Sequence, residues 1–590
     1  MVKRKKQIFG MSIPKPNIMR ASNDTHKKIF FILLQSSLIT AIFLITYLYF
    51  VPVKFENLGG GHSWLTGSTI KFTNMWLEEG PVNLHFTSYE SYPSIEFNST
   101  ADRTPYVSYP PGTVGFTYCI AGIFHKKHID VGFIKRLQFC LFLLECILWG
   151  IFVFLLLDLL KLHNNLTKLI TGVLTSSVYM LYPANAWYLL NIFYADQLVL
   201  FYATIFFLIE LLRYTIKNKT GEVVINILSV LIIFCGVSTD YYFWIIVFVA
   251  WILNLWHNIY IKDQGEMNGK RIFVETLIYI IPTCLAVMLF ALQLLSIDDG
   301  FDLLHQRFLQ RTGQSAAKSE LSDTGFIARI KIIISTICLF YKNGMNGLIV
   351  FVSYIFGFVF LSLKLLKNKG PQTVLTSPVA LLILLITLTP PLQILLLNQH
   401  SAVHEFGLIK LAHPLSLLLP ILTYLIFSHF NCQQLNDTFL FDKRHVSIYS
   451  CIFLPIWIIA ILAIGIPQKT KAFYLAKDKK ENYTIEETLK MITDYNDVIF
   501  SYTYEIPINP PEKLCISEKQ VYLIHNFESI DSLFPNLNSA ASKLLLIENY
   551  PNNIKSETII TQELYSLQNG RIRFEDEYMK LVYFPEYDHE

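Results

Sequence analysis

Runs of about 20 predominantly apolar residues, the length that crosses a bilayer as a helix, recur from residue 29 to residue 467 of this 590-residue chain. They occupy 29 to 51, 133 to 158, 167 to 183, 194 to 213, 222 to 239, 241 to 260, 272 to 296, 345 to 366, 376 to 397, 407 to 429 and 446 to 467. A water-soluble fold cannot bury so many, so the sequence predicts an α-helical polytopic membrane protein with about eleven transmembrane helices. Composition agrees: 53% hydrophobic and 16% charged residues, with a mean hydropathy of +0.42, is too apolar for a row of soluble domains. The first run follows Lys27 and Lys28, lacks a small-residue cleavage site and reads as a retained anchor.

Short basic loops stay cytoplasmic, and with eleven spans every basic cluster falls on one side: KRKK at the N-terminus, Lys217 and Lys219, Lys270 and Arg271, Lys364 to Lys369, and Lys443 to His445. Residues 1–28 are then a cytoplasmic basic N-terminus and 29–467 a membrane domain with outer loops at 52–132 and 297–344. Shorter outer loops fall at 184–193 and 398–406, and the stretch 113–124 is too short to span and reads as re-entrant or interfacial. After residue 468 charges return, and β-rich runs (DVIFS, QVYLI, KLLLI) alternate with helical signals, including a capping box at Thr484 and Glu487. Residues 468–590 are therefore expected to form an extracytoplasmic α/β domain. The small net charge of +3, spread over short clusters, excludes nucleic acid as a partner. Nine scattered cysteines without C-x-x-C spacing indicate neither a disulfide framework nor a zinc site. A bacterial cytoplasmic membrane and the endoplasmic reticulum fit equally well; Asn98 and Asn482 are glycosylation acceptors only in the second.

Polar residues concentrate at the outer ends of the spans: His62, Asp196, Asp240, His400, His404, Glu405 and Lys410. Outer loops are wet and carry charges in any case. Asp196, Asp240 and Lys410, however, sit at the edges of apolar helices, where an ionisable group is costly unless it faces a cavity or a partner, and a polar cavity opening outward accounts for the set. Glu145 is the one deep carboxylate, suited to a proton path or to a pairing inside the bundle. In FDLLHQRFLQR, Phe301, Leu304 and Phe308 share one helical face while Arg307 and Arg311 share another, as in an interfacial helix whose guanidinium groups meet lipid phosphate. Trp64, Trp76, Tyr106 and Tyr109 offer flat faces to sugar rings or to the head-group level, and Pro110-Pro111 sets an extended turn. His62, His400, His404 and Asp196 are of metal-binding type, yet their spacing matches no dedicated motif; no cofactor is assigned, although a divalent metal is compatible with them.

One span, an outer loop whose helix ends in a glycine (NMWLEEG), the turn YVSYPPG, an aspartate opening a span in YADQLVLFY and a terminal outer domain together resemble the GT-C membrane glycosyltransferases, in particular the group of protein O-mannosyltransferases and the aminoarabinose transferase of lipid A. The resemblance implies transfer of a sugar from a polyprenyl-phosphate donor to a hydroxyl of a glycan, lipid or protein acceptor at the extracytoplasmic face of the bilayer. Such chemistry needs a base for the acceptor, cations for the departing phosphate and a cavity open to lipid and water. The family carries an acidic base early in the first outer loop; here that place holds His62, in GGHSW, whose neutral imidazole is a competent base near pH 7. Glu78, Glu79 or Asp196 are the alternative carboxylates. The resemblance thus implies His62 and Asp196 as the catalytic pair, Arg307, Arg311 and Lys410 as phosphate contacts, and Asp240, Tyr106, Tyr109, His404 and Glu405 as substrate-facing groups. A multi-span transporter or lipid flippase is the rival reading. It would draw on Glu145 but needs polar access from both sides.

Overall fold

The computed structural model describes residues 18–50, 62–89, 105–162, 164–216, 218–263, 269–314, 325–341, 377–417, 419–421, 423–424, 488–489, 491–493, 497–501, 521–523, 542–548, 572–575 and 579–583. Among these, seven helices are long and apolar enough to cross a membrane. They lie in α1 (Ile18–Phe50), α4 (Val131–Leu159), α7 (Ala195–Thr215), α8 (Lys219–Val237), α9 (Tyr241–Asp263), α10 (Gly269–Leu295) and α13 (Pro378–Leu396). Between them stand α2 (Ser63–Glu79), α3 (Gly112–Ile123), α5 (Asn165–Leu181), α6 (Pro183–Asn191), α11 (Gly300–Thr312) and α12 (Phe326–Tyr341). After α13 come α14 (Asn398–Val403), a 3-10 turn (Glu405–Leu411) and α15 (Ala412–Ser416). The expected spans 345–366 and 446–467 lie outside the described residues, as do Thr484, Glu487, Asn98 and Asn482.

Helix starts follow local chemistry. Asp130, Asn164 and Asn218 each sit extended before α4, α5 and α8 and accept backbone N–H groups from the first turn. In the bundle, α4 packs on α1, α5 and α7, and α8 and α13 extend the assembly through α10 and α9. The centre is α7: 83% of its apolar window is buried, against 22% in α1 and 28% in α8, whose exposed leucines and isoleucines are what a helix facing lipid presents.

Two expectations need correction, and the loop 297–344, expected to carry one helix, gains a second. The outer loop at 184–193 is largely α6, because Pro183 at its first position has its φ preset for a helix and forces Tyr182 to be extended (φ −54°, ψ 132°). The loop 297–344 carries two helices, the second of which, α12, is an apolar run of 16 residues, below the length that marks a span. The run starting at 407 does not open as one membrane helix; its first residues belong to the 3-10 turn, followed by the five-residue α15.

The loop before α3 is held close to the bundle by a two-stranded ribbon, β1 (Ser88–Tyr89) with β2 (Pro105–Tyr106). Trp76 donates its indole N–H to Thr87 O at 3.0 Å, and the Asn74 amide bonds both backbone groups of Ile129. At the YPPG turn Gly112 N–H donates to Ser238 O at 2.6 Å, and a Cβ at Gly112 would lie 2.3 Å from that oxygen. Only glycine permits this approach, which sets Tyr106 and Tyr109 beside the α8–α9 junction where Asp240 lies.

In the C-terminal region, β3 (Asp497–Ser501), β4 (Val521–Leu523), β5 (Ser542–Glu548), β6 (Ile572–Glu575) and β7 (Met579–Tyr583) form one sheet in the order β4-β3-β5-β7-β6. β3 runs parallel to β4 and β5, and β7 antiparallel to β5 and β6. The three β-rich runs named from sequence are β3, β4 and β5. Leu489, Ile499, Leu544, Met579 and Leu581 make its core, and Arg573 pairs with Asp497 at 2.8 Å.

Candidate active site

At the end of the bundle where α7 and α9 begin, the 3-10 turn brings two ion pairs together. Lys410 is 2% exposed and lies 2.8 Å from Asp196 in the first turn of α7 and 3.4 Å from Asp240, just before α9. Asp240 also accepts the Tyr242 N–H at 2.6 Å. Three charges scattered over 214 residues of sequence thus share one buried point, the arrangement that lets each leave water. Five residues earlier, Glu405 accepts the Tyr188 hydroxyl at 2.5 Å and lies 3.7 Å from His62 Nε2. His62 occupies the N-cap of α2 in the left-handed region (φ 71°), a conformation that costs a non-glycine residue about 1–3 kcal/mol and clusters at functional sites. Its ring meets Phe406 edge-on at 5.3 Å.

Phe406 is part of the wall of a cavity of about 490 Å³, a volume typical of small-ligand sites. Trp64, Tyr106, Tyr109 and Tyr194 supply aromatic faces, and His400, His404, Gln310 and Gln399 supply polar groups. The Tyr106 and Tyr194 hydroxyls are 2.5 Å apart, and the Tyr109 hydroxyl is 3.3 Å from His400 Nε2. Burial, together with the charges of Arg311, His404 and Lys410, holds His400 well below the usual histidine range. Burial, then His62 and Arg311, pulls His404 down to about 4. Both imidazoles are therefore neutral near pH 7 and available as hydrogen-bond partners.

The same cavity reaches α11. Arg311 lies over the Tyr109 ring at 4.4 Å and near Tyr241 at 5.6 Å, and Arg307 reaches Gln310 at 3.3 Å. Neither arginine has a carboxylate partner among the described residues. A second cavity, also about 490 Å³ but lined mainly by Trp244, Phe290, Leu294, Phe301, Leu304 and Phe308, borders the same two arginines. Ser108, Arg307 and Arg311 line both. The C-terminus of α11 is fixed by neighbours: Arg329 of α12 bonds Gln399 at 2.7 Å and Gly313 O at 3.5 Å, and Asn398 reaches Thr312 O at 3.4 Å.

Of the residues named from sequence, Tyr106, Tyr109, Arg307, Arg311 and His404 line the polar cavity, and His62 and Glu405 stand beside it. Asp196 and His62 each have a different partner, Lys410 and Glu405 respectively. Lys410 is occupied by its two aspartates and does not line either cavity. Glu78 and Glu79 lie at the other end of α2, roughly 24 Å from His62 at the rise of an α-helix. Glu145 is in a separate buried cluster with Tyr179 and His413. Among the described residues no three His, Cys, Asp or Glu side chains converge to hold a metal ion. Sequence reading missed Tyr188, Tyr194, Tyr241 and Arg329, because an aromatic or a lone cation in an apolar run has no pattern to separate it from core.

No known family profile matches the sequence, and neither does any curated protein. Solved structures do. ArnT from Cupriavidus metallidurans bound to undecaprenyl phosphate superposes with a TM-score of 0.53 at 9% identity, over 93% of this chain and 98% of that one. Its apo state gives 0.52 at 9% identity, over 93% and 97%. The Archaeoglobus fulgidus oligosaccharyltransferase, in complex with Zn and sulfate, gives 0.53 at 10% identity, over 90% of this chain and 69% of that one. The chain shares the fold of these two proteins. At such identities the likeness establishes the architecture, and the chemistry has to be argued from the side chains.

Proposed function

We propose that this chain is a glycosyltransferase that moves a sugar from a polyprenyl-phosphate donor to an acceptor hydroxyl at the extracytoplasmic face of a membrane. The observation that carries the reading is the order of parts around α11: an apolar cavity, two guanidinium groups without a carboxylate partner among the described residues, then a cavity of aromatic and neutral polar groups. A lipid-phosphate sugar has the same order: hydrocarbon, anion, polyol. The likeness to ArnT bound to undecaprenyl phosphate supports the same donor class.

In the reaction the acceptor oxygen bonds to the anomeric carbon while the bond from that carbon to the phosphate oxygen breaks. The electron pair leaves with the polyprenyl phosphate, whose charge grows from −1 toward −2. Arg311, held rigidly over Tyr109, and Arg307 meet that growing charge, a contribution of the kind worth about 3–4 kcal/mol per preorganised donor. The acceptor proton passes to His62, whose imidazole is oriented by Glu405, itself fixed by Tyr188. Asp196, Asp240 and Lys410 hold the wall behind Tyr109. The acceptor is a glycan, lipid or protein hydroxyl. The N-terminus lies in the cytoplasm, and the active site and the C-terminal domain lie outside, in a bacterial cytoplasmic membrane or the endoplasmic reticulum.

The test is release of polyprenyl phosphate by protein in lipid nanodiscs supplied with a panel of polyprenyl-phosphate sugars. Wild type is expected to release it with at least one donor, and Arg311→Ala and His62→Ala to lose most of that turnover. A folded protein inert toward every donor overturns the reading; full turnover by His62→Ala removes His62 as the base.

A further inference from the structure

Below the two ion pairs, inside the bundle, lies a polar cluster that the reaction does not touch. Glu145 of α4 is completely buried and accepts the Tyr179 hydroxyl of α5 at 2.5 Å. His413 of α15, also completely buried, lies with Nε2 2.7 Å from Thr204 Oγ1 of α7 and 3.8 Å from the Glu145 carboxylate. Its ring stacks on Tyr179 at 5.0 Å and meets Trp149 and Phe207 edge-on at 4.7 and 5.7 Å. One turn on, Ser416 accepts the Trp149 indole N–H at 2.9 Å and donates to His413 O at 3.0 Å. Placing a carboxyl, an imidazole and a phenol at the centre of an apolar bundle is costly, and an apolar set of equal volume would pack there more simply.

The chain itself shows what the cluster holds. The 3-10 turn Glu405–Leu411 runs for seven residues, longer than the three or four that such a helix sustains on its own hydrogen bonds. It carries Glu405, which faces His62, and Lys410, which joins Asp196 to Asp240. Its start is held through Glu405 by Tyr188 of α6. At the other end His413 is only three residues beyond Lys410 and ties the segment to α4, α5 and α7 together. A turn held at both ends keeps one register. Cut loose at one end, it is expected to shift relative to His62 and the cavity, whereas Arg307 and Arg311 belong to a separate element, α11.

We infer that Glu145, Thr204 and His413 are positioning residues: a buried latch that fixes the 3-10 turn and thereby the placement of Glu405 and Lys410 at the reaction centre. The inference rests on the glycosyltransferase reading for its kinetic consequence, and on the fold alone for its mechanical one. The latch uses the Glu145 carboxyl as a hydrogen-bond acceptor and carries no proton to the site.

The experiment pairs two readouts in nanodiscs. Hydrogen exchange over residues 405–411, without substrate, is expected to rise in Glu145→Ala and in the milder Thr204→Val while exchange in α11 stays as in wild type. Turnover with the active donor is expected to fall ~10- to 100-fold in kcat for Glu145→Ala, the scale of a displacement of about 1 Å, with the donor KM unchanged. Glu145→Gln keeps an oxygen for Tyr179 and is expected to stay within about threefold of wild type, a displacement well below that scale. The inference is overturned if exchange over 405–411 is unchanged in both Glu145→Ala and Thr204→Val, if the loss falls on donor KM, or if Glu145→Gln is as impaired as Glu145→Ala. A wild type inert toward all donors sinks the glycosyltransferase reading instead and leaves the exchange result to decide the latch.

Discussion

Replacing Lys410 with methionine tests how the site holds together, whatever its substrate. Methionine keeps the length of the side chain and its packing in a position only 2% exposed, while deleting the charge that Asp196 and Asp240 share. With an effective dielectric constant of about 20, contacts at 2.8 and 3.4 Å correspond to gross attractions of about 6 and 5 kcal/mol. Desolvation and the mutual repulsion of the two carboxylates offset most of this. The quantity that survives is the penalty for leaving a buried charge without its partner, about 3–5 kcal/mol. Lys410→Met is therefore expected to lower resistance to SDS-induced unfolding in mixed micelles by about that amount. Adding Asp196→Asn and Asp240→Asn removes the stranded charges, and the triple variant should recover more than half of the loss. A Lys410→Met protein within about 1 kcal/mol of wild type, the worth of a surface pair, would refute the account of these charges as buried and mutually dependent.

Three further outcomes follow from the same geometry. The depressed His404 favours the neutral ring in the folded state, so protonation favours unfolding: stability is full above pH 6.5 and falls as the pH drops toward about 4, and His404→Gln should flatten that fall in thermal unfolding followed across pH. Arg311→Lys keeps the charge but loses the planar fork that stacks on Tyr109, so it should weaken polyprenyl phosphate binding roughly 10- to 100-fold in a titration, and Arg311→Ala at least as much. Gly313 holds a φ of +76°, and a Cβ there would stand 1.8 Å from Arg329 Nη1; Gly313→Ala should cost about 1–2 kcal/mol from the backbone alone, detectable as a lower unfolding midpoint, and more if Arg329 loses Gln399.

Much of the architecture was legible because the bilayer imposes one rule on every span. Six of the expected apolar runs, at 29–51, 133–158, 194–213, 222–239, 241–260 and 272–296, are long helices within a few residues of where hydropathy places them, and 376–397 makes a seventh. The site was legible only in part, for a related reason. Asp196, Asp240 and Lys410 stood out because charge at the edge of an apolar helix demands a partner, and they are one another's partners. Their use as mutual partners also accounts for Lys410, expected at a phosphate, lining neither cavity. Where the chain departs from regular helix, hydropathy is silent: the 3-10 turn EFGLIKL sets Glu405 and Lys410 among apolar residues, and such a run does not say which hydrogen-bond pattern it adopts.

The tyrosines mark the other boundary of what can be read. Tyr188 reads as a core aromatic from its position in an apolar stretch, and by burial it is one, at 2% exposed. Its hydroxyl nevertheless fixes Glu405, and Glu405 faces His62, so a residue indistinguishable from packing sets the orientation of the candidate base. The same double use recurs at Tyr109, which stacks under Arg311 and bonds His400, and at Tyr179, which packs on His413 and bonds Glu145. A phenol in a membrane bundle supplies apolar area to the fold and one directed hydrogen bond to a charge, so in this chain the groups that give the site its rigidity are drawn from the residues that also fill the core. It follows that Tyr188→Phe, which removes one oxygen and no packing, should leave the unfolding midpoint nearly unchanged while lowering turnover through His62. Equal losses in both would mean that Tyr188 is core and nothing more.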